Sequence, residues 1–167
     1  MSKRLFLNEK EPAVAANALL YLGENSDTMP CIRQIIDEII KGNFPKQFYY
    51  DNVIVYYHIS RAYRCGVTGF GDLREIIGNR IASRFSDKWI NSNELNCLFA
   101  VNVLLDFDIH IDLAESILQY IINGKSYPDN WQTEIYSGDP KRKLLCGSPV
   151  LPAALLIKAL TKINKKH

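Results

Sequence analysis

No two of the four cysteines stand close enough in sequence to form a metal-ligand or redox pair: Cys31, Cys65, Cys97 and Cys146 are scattered. Zinc sites and thiol–disulfide centres need pairs at short spacing, so neither is expected and no metal is predicted. Free thiols beside apolar runs behave as small hydrophobes, which fits a reducing cytoplasm. Charge of one sign is also scarce. Twenty basic and 18 acidic residues leave a net charge of +2, too little for a global field that recruits nucleic acid or membrane. Basic residues gather only at Lys141-Arg142-Lys143 and at Lys158, Lys162, Lys165 and Lys166, read here as a charged loop and a solvated terminus. No apolar run reaches the roughly 20 residues of a membrane span. The N-terminal Leu5-Phe6-Leu7 is broken at once by Asn8-Glu9-Lys10-Glu11, too soon for a signal peptide. His-Glu-x-x-His, a phosphate-binding glycine loop and a nucleophile elbow are all missing, and no cofactor is implied.

What is present is a recurring segment. Ala15-Ala16-Asn17-Ala18-Leu19-Leu20-Tyr21-Leu22-Gly23 returns in kind as Tyr56–Gly66, as Leu98–Phe107 and as Ala153–Leu160. Each is apolar with small residues, and the first three lead through a turn into a more polar amphipathic stretch. Such repetition marks stacked helical hairpins, because a single hairpin cannot bury its own apolar face. The expectation is one all-α domain over residues 1–167, of about seven helices in antiparallel hairpins.

Local signals set the boundaries. Pro12 opens the first helix and Gly23 stops it. The second runs from Cys31 to Lys41 with Ile32, Ile35, Ile36, Ile39 and Ile40 on one face, ended by Gly42. Asp51 caps the third, which Gly66 ends. Asp72-Leu73-Arg74-Glu75 reads as a capping box for the fourth, with Arg74, Arg80 and Arg84 facing outward. Asn91-Ser92-Asn93-Glu94 starts the fifth helix and Asp112 caps the sixth. Gly124 to Gly147 is a long loop without a convincing strand, and Ser148-Pro149 caps the seventh helix.

Asp106-Phe107-Asp108-Ile109-His110-Ile111-Asp112 is the densest set of potential ligands. It falls where the repeat demands a turn, and Ile111 stands where a calcium loop needs glycine, so a helix–helix turn is expected. The aromatic third helix is the better candidate. Tyr50, Ile54, Tyr57 and Arg61 share one face, suiting either core packing or a lined cavity. Arg61, a guanidinium in an apolar helix, must find a carboxylate, a carbonyl or an anionic ligand. Asn17 and Asn102 either bond across hairpins or line a site. Trp131 and Tyr136, in the long loop, form either a lid or a plug against the helix ends. His58 is expected as a satisfied, partly buried imidazole.

These elements resemble the terpenoid cyclase and protein prenyltransferase superfamily of α/α toroids, and most closely its uncharacterised bacterial cyclase-like proteins. The likeness rests on Ala16–Gly23, on Tyr56-Tyr57-His58-Ile59-Ser60-Arg61-Ala62, on Trp131 with Tyr136-Ser137-Gly138, and on Gly147-Ser148. An Asp-x-Asp-Asp proton donor, an Asp-x-x-Asp-Asp diphosphate motif and the prenyltransferase zinc ligands have no counterpart. Three hairpins and one helix supply half of a toroid. The resemblance implies a concave aromatic face that binds a hydrophobic small molecule or a partner protein. Its alternatives are a cyclase-like or transferase-like enzyme completed by a second chain, and a HEAT-like interaction solenoid. The apolar terminal helices imply a homodimer.

Overall fold

The computed structural model describes residues 11–42, 51–85, 93–124, 135–139 and 144–165. Seven α-helices form within them: α1 (Pro12–Leu22), α2 (Met29–Lys41), α3 (Asn52–Arg64), α4 (Arg74–Phe85), α5 (Glu94–Phe107), α6 (Ile111–Asn123) and α7 (Val150–Asn164). The class is all-α. Pro12 starts α1, and Gly23 at φ 70° ends it in a conformation that side chains resist. Asp51 caps α3 by accepting from the Val53 amide at 3.0 Å, and Asn93 caps α5 through the Asn96 amide at 2.7 Å.

Several boundaries differ from expectation. Helix α2 begins two residues early, at Met29. The capping box at Asp72 does not form: Asp72 lies inside a short 3-10 helix, Thr68–Leu73, and α4 opens at Arg74. Two glycines in that connection favour a tighter turn over a clean cap. Asp112 does not cap α6 either. His110 takes the cap position at φ 49°, and Asp112 sits in the first turn, where its charge complements the helix dipole. The expected strandless loop contains an antiparallel hairpin, β1 (Ile135–Asp139) with β2 (Leu144–Gly147), its register slipping between Ile135 and Ser137. Runs this short carry no readable period, which is why the hairpin escaped notice.

Helix packing forms two layers. Helices α1, α3, α5 and α7 pack side by side in that order, while α2 lies on α1, α4 on α3 and α5, and α6 on α5. Helices α1, α3, α5 and α7 thus form one row. Helix α5 sits inside it, buried at every position from Cys97 to Phe107. Ala13, Ala16, Ala62, Ala100 and Ala159 are fully buried and let backbones approach, whereas Ala154 is exposed. Only one face of α2 is covered: Ile32, Ile35 and Ile39 are buried, whereas Ile40 is half exposed.

The arginines of α4 do not simply face outward. Arg80 donates to the Ile39 and Ile40 carbonyls at 2.7 and 3.2 Å, closing the end of α2. Arg84 grips Asp51 with two bonds of 2.6 Å, and Asn96 adds a third at 3.1 Å, so one carboxylate ties α3, α4 and α5. Among the described residues no helix is long and apolar enough to cross a membrane.

Candidate functional site

A chain of polar contacts crosses the α1–α3–α5–α7 row. It starts on α5, where Asn102 and Asp106 lie one turn apart on the same face and are both buried. Asn102 donates from Nδ2 to the Leu98 carbonyl at 2.9 Å and to the Leu155 carbonyl of α7 at 3.0 Å. Its Oδ1 accepts from Lys162 Nζ at 3.0 Å. The amide thus bonds across neighbouring helices, one of the two roles expected of it. Lys162 also reaches Asp106 Oδ1 at 2.7 Å, while Lys158 stands 3.6 Å from Oδ2. The Asp106 carboxylate is almost wholly buried, so Lys162 is its close partner in a buried ion pair and Lys158 a looser one.

Lys158 carries the chain to α3. Its ammonium donates to the Tyr57 hydroxyl at 3.1 Å and lies 4.6 Å from the centre of that ring. The Tyr57 ring stands 5.1 Å from Phe99 of α5 and 5.7 Å from His58. His58 Nδ1 then meets Asn17 Oδ1 of α1 at 3.0 Å. With the Asn17 oxygen accepting, the imidazole proton sits on Nδ1. Asn17, Tyr57, His58, Arg61, Lys158 and Lys162 are all partly buried.

Burial and like charge set the protonation states. His58 is pushed down to about 4, first by burial and then by the positive charges of Arg61 and Lys158, so it is neutral at pH 7. Burial also lowers Lys162 to about 8; Asp106 opposes that shift, while Lys158 and Arg64 add to it.

Of the residues singled out from sequence, Asn17, Tyr57 and Asn102 take part directly. Arg61 acts through its charge on His58 and makes no ion pair among the described residues. Tyr50 and Trp131 lie outside the described residues, as does the side chain of Tyr136, whose backbone belongs to β1. Sequence reasoning missed Phe99, Asp106, Lys158 and Lys162 as partners. Lys158 and Lys162 are not a solvated tail; their spacing of four on an apolar helix was the available signal.

The acidic segment 106–112 divides. Asp106 belongs to α5, Asp108 turns the chain at φ 56° with its carbonyl held by Arg74 at 2.6 Å, and His110 Nε2 meets Asn79 at 2.9 Å. Among the described residues no three His, Cys, Asp or Glu side chains gather as a metal site. A separate groove of about 280 Å³ lies between α6 and α7, lined by Leu118, Ile122, Leu160 and Ile163 with Glu115 and Gln119. Comparison with family models, curated proteins and solved structures gave no match.

Proposed function

We propose that this chain is a binding domain whose ligand, a mainly apolar small molecule, lies on the Tyr57 side of the α1–α3–α5–α7 row. The observation that carries this reading is the partly buried polar chain from Asn17 to Lys162, with aromatic rings set into it. Core polar networks are usually enclosed. This one keeps six side chains in partial contact with solvent. Apolar walls with a few fixed polar groups are what small-molecule sites are made of. Asn17 and Arg61, singled out by the resemblance to cyclase-like proteins, are both partly buried, which suits a lining role.

The shifted His58 and Lys162 favour a second reading, an enzyme of the cyclase-like or transferase-like kind. The α6–α7 groove contains neither residue, and binding is the simpler reading. Chemical-shift mapping with 1-decanol, an uncharged apolar probe, tests it. Perturbations should centre on the His58 and Tyr57 rings and the Asn17 amide. Shifts confined to the α6–α7 groove, or none at all, refute it.

A further inference from the structure

Both ends of the α1–α3–α5–α7 row present an uncovered apolar stripe. On α1, Val14, Ala18, Tyr21 and Leu22 fall at i, i+4, i+7 and i+8, one face of a helix. Val14, Tyr21 and Leu22 are exposed, Tyr21 by 83%. No residue from Pro12 to Leu22 carries a charge. On α7, Val150, Ala154, Ile157 and Thr161 repeat the spacing and are all exposed. Its lysines at 158 and 162 turn elsewhere, to Tyr57 and to Asp106. Helices α3 and α5 stand between the two stripes, so one chain cannot cover the first with the second.

The α7 stripe runs into the groove between α6 and α7. Ile157, Leu160 and Asn164 follow at i, i+3 and i+7, and the last two line the groove with Leu118 and Ile122 of α6. At about 280 Å³ it lies under the roughly 300–1,000 Å³ of small-molecule pockets. A single large side chain suits it better. Gln119 and Asn164 at its edge can meet a phenol hydroxyl. A lipid surface is the poorer occupant of these stripes. Helices that lie on membranes carry lysine and arginine on their polar face, whereas α1 has none and is bracketed by Glu11, Glu24 and Asp27.

We propose that two copies of this chain pair about a two-fold axis, the α1 stripe of each on the α7 stripe of the other, with Tyr21 seated in the α6–α7 groove of the second copy. Ridges of equal spacing interdigitate, and the small Ala18 and Ala154 let the two helices approach. Both stripes are uncharged, so their contact brings no like charges together. A stable interface takes about 800 Å² from each partner. Tyr21 offers roughly 150 Å² of it, and one stripe supplies only part of the whole. Two-fold pairing engages both stripes of each chain and makes the contact twice. Lys158 and Lys162 leave α7 on the flank away from Leu160 and Ile163, so the Tyr57 side stays open and the binding reading stands or falls separately.

Light scattering at micromolar concentration on wild type, Tyr21→Lys, Ile122→Glu and an equimolar mixture of the two variants tests the pairing. Wild type should show about twice the 19.1 kDa chain mass and each variant alone about one chain mass, because a charge then enters both contacts. Both positions are exposed, so circular dichroism should show unchanged helix in each variant. In the mixture, one contact is wild type on both sides and the other sets the new ammonium against the new carboxylate. The dimer mass should return. Pairing of α1 with α1 and α7 with α7 would give no such rescue. A monomeric wild type, variants that stay dimeric, or a mixture that stays monomeric overturns the proposal.

Discussion

Replacing Asp106 by asparagine keeps the side chain's shape and removes its charge. The carboxylate is 1% exposed and Lys162, 2.7 Å away, is 10% exposed. Burial already lowers the Lys162 ammonium to about 8 against the pull of Asp106. Without that pull, Lys158 and Arg64 still repel it and the value falls further. The unfolded chain holds this proton up to about 10.5. Below pH 8 folded wild type holds it as well, whereas the folded variant sheds it until pH falls to its own lower value. Each pH unit is then worth about 1.4 kcal/mol. The variant's deficit from this cause therefore widens as pH falls below 8, for as long as its folded lysine stays neutral. The unfolded variant binds more protons than the folded one across this window, so its stability rises with pH and the gap to wild type closes near pH 8. Urea unfolding of both proteins at four pH values from 5 to 8 measures the gap. In thermal unfolding each kcal/mol of that gap corresponds to about 2–4 °C. Asp106→Leu combined with Lys162→Met, which leaves no stranded charge, should recover much of the loss. A gap that stays flat from pH 5 to 8 refutes the reasoning.

His58 should titrate with a midpoint near 4 in an NMR pH series, and its share of stability should be lost as pH falls from 6.5 toward 4, because the folded state resists a proton that the unfolded chain accepts. A midpoint near 6.5 would show the ring open to water. Self-association is expected because Tyr21 of α1 is 83% exposed, and Val150 and Ile157 of α7 are 68% and 64% exposed. Light scattering at micromolar concentration should give about twice the 19.1 kDa chain mass, and Ile157→Lys should return it to a monomer; a monomeric wild type removes the idea.

Helix content was legible because each helix announces itself locally. Pro12, Gly23, Gly42, Asp51 and Asn93 act through short-range sterics and hydrogen bonds. Asp72 and Asp112 misled because a carboxylate near a helix start can serve the dipole or a turn as readily as the cap. The candidate site was half legible. Asn17, Tyr57 and Asn102 stood out as polar groups in apolar helices. Asp106 was hidden in an acidic run that looks like a turn, and Lys158 and Lys162 in a basic tail. Their pairing joins residues about 50 apart in sequence and depends on α7 packing against α5, which no local pattern specifies.

Helix α5 would make a poor helix alone. Val101 and Val103 are stiff at the first side-chain torsion, and Asn102, Cys97 and the two phenylalanines rank low as helix formers. Its neighbours keep it wound, and every side chain from Cys97 to Phe107 is buried. A segment so placed has little route to local fraying. Its backbone amides exchange with solvent only when α3, α6 and α7 leave it together, so hydrogen exchange across α5 should report the free energy of the whole molecule.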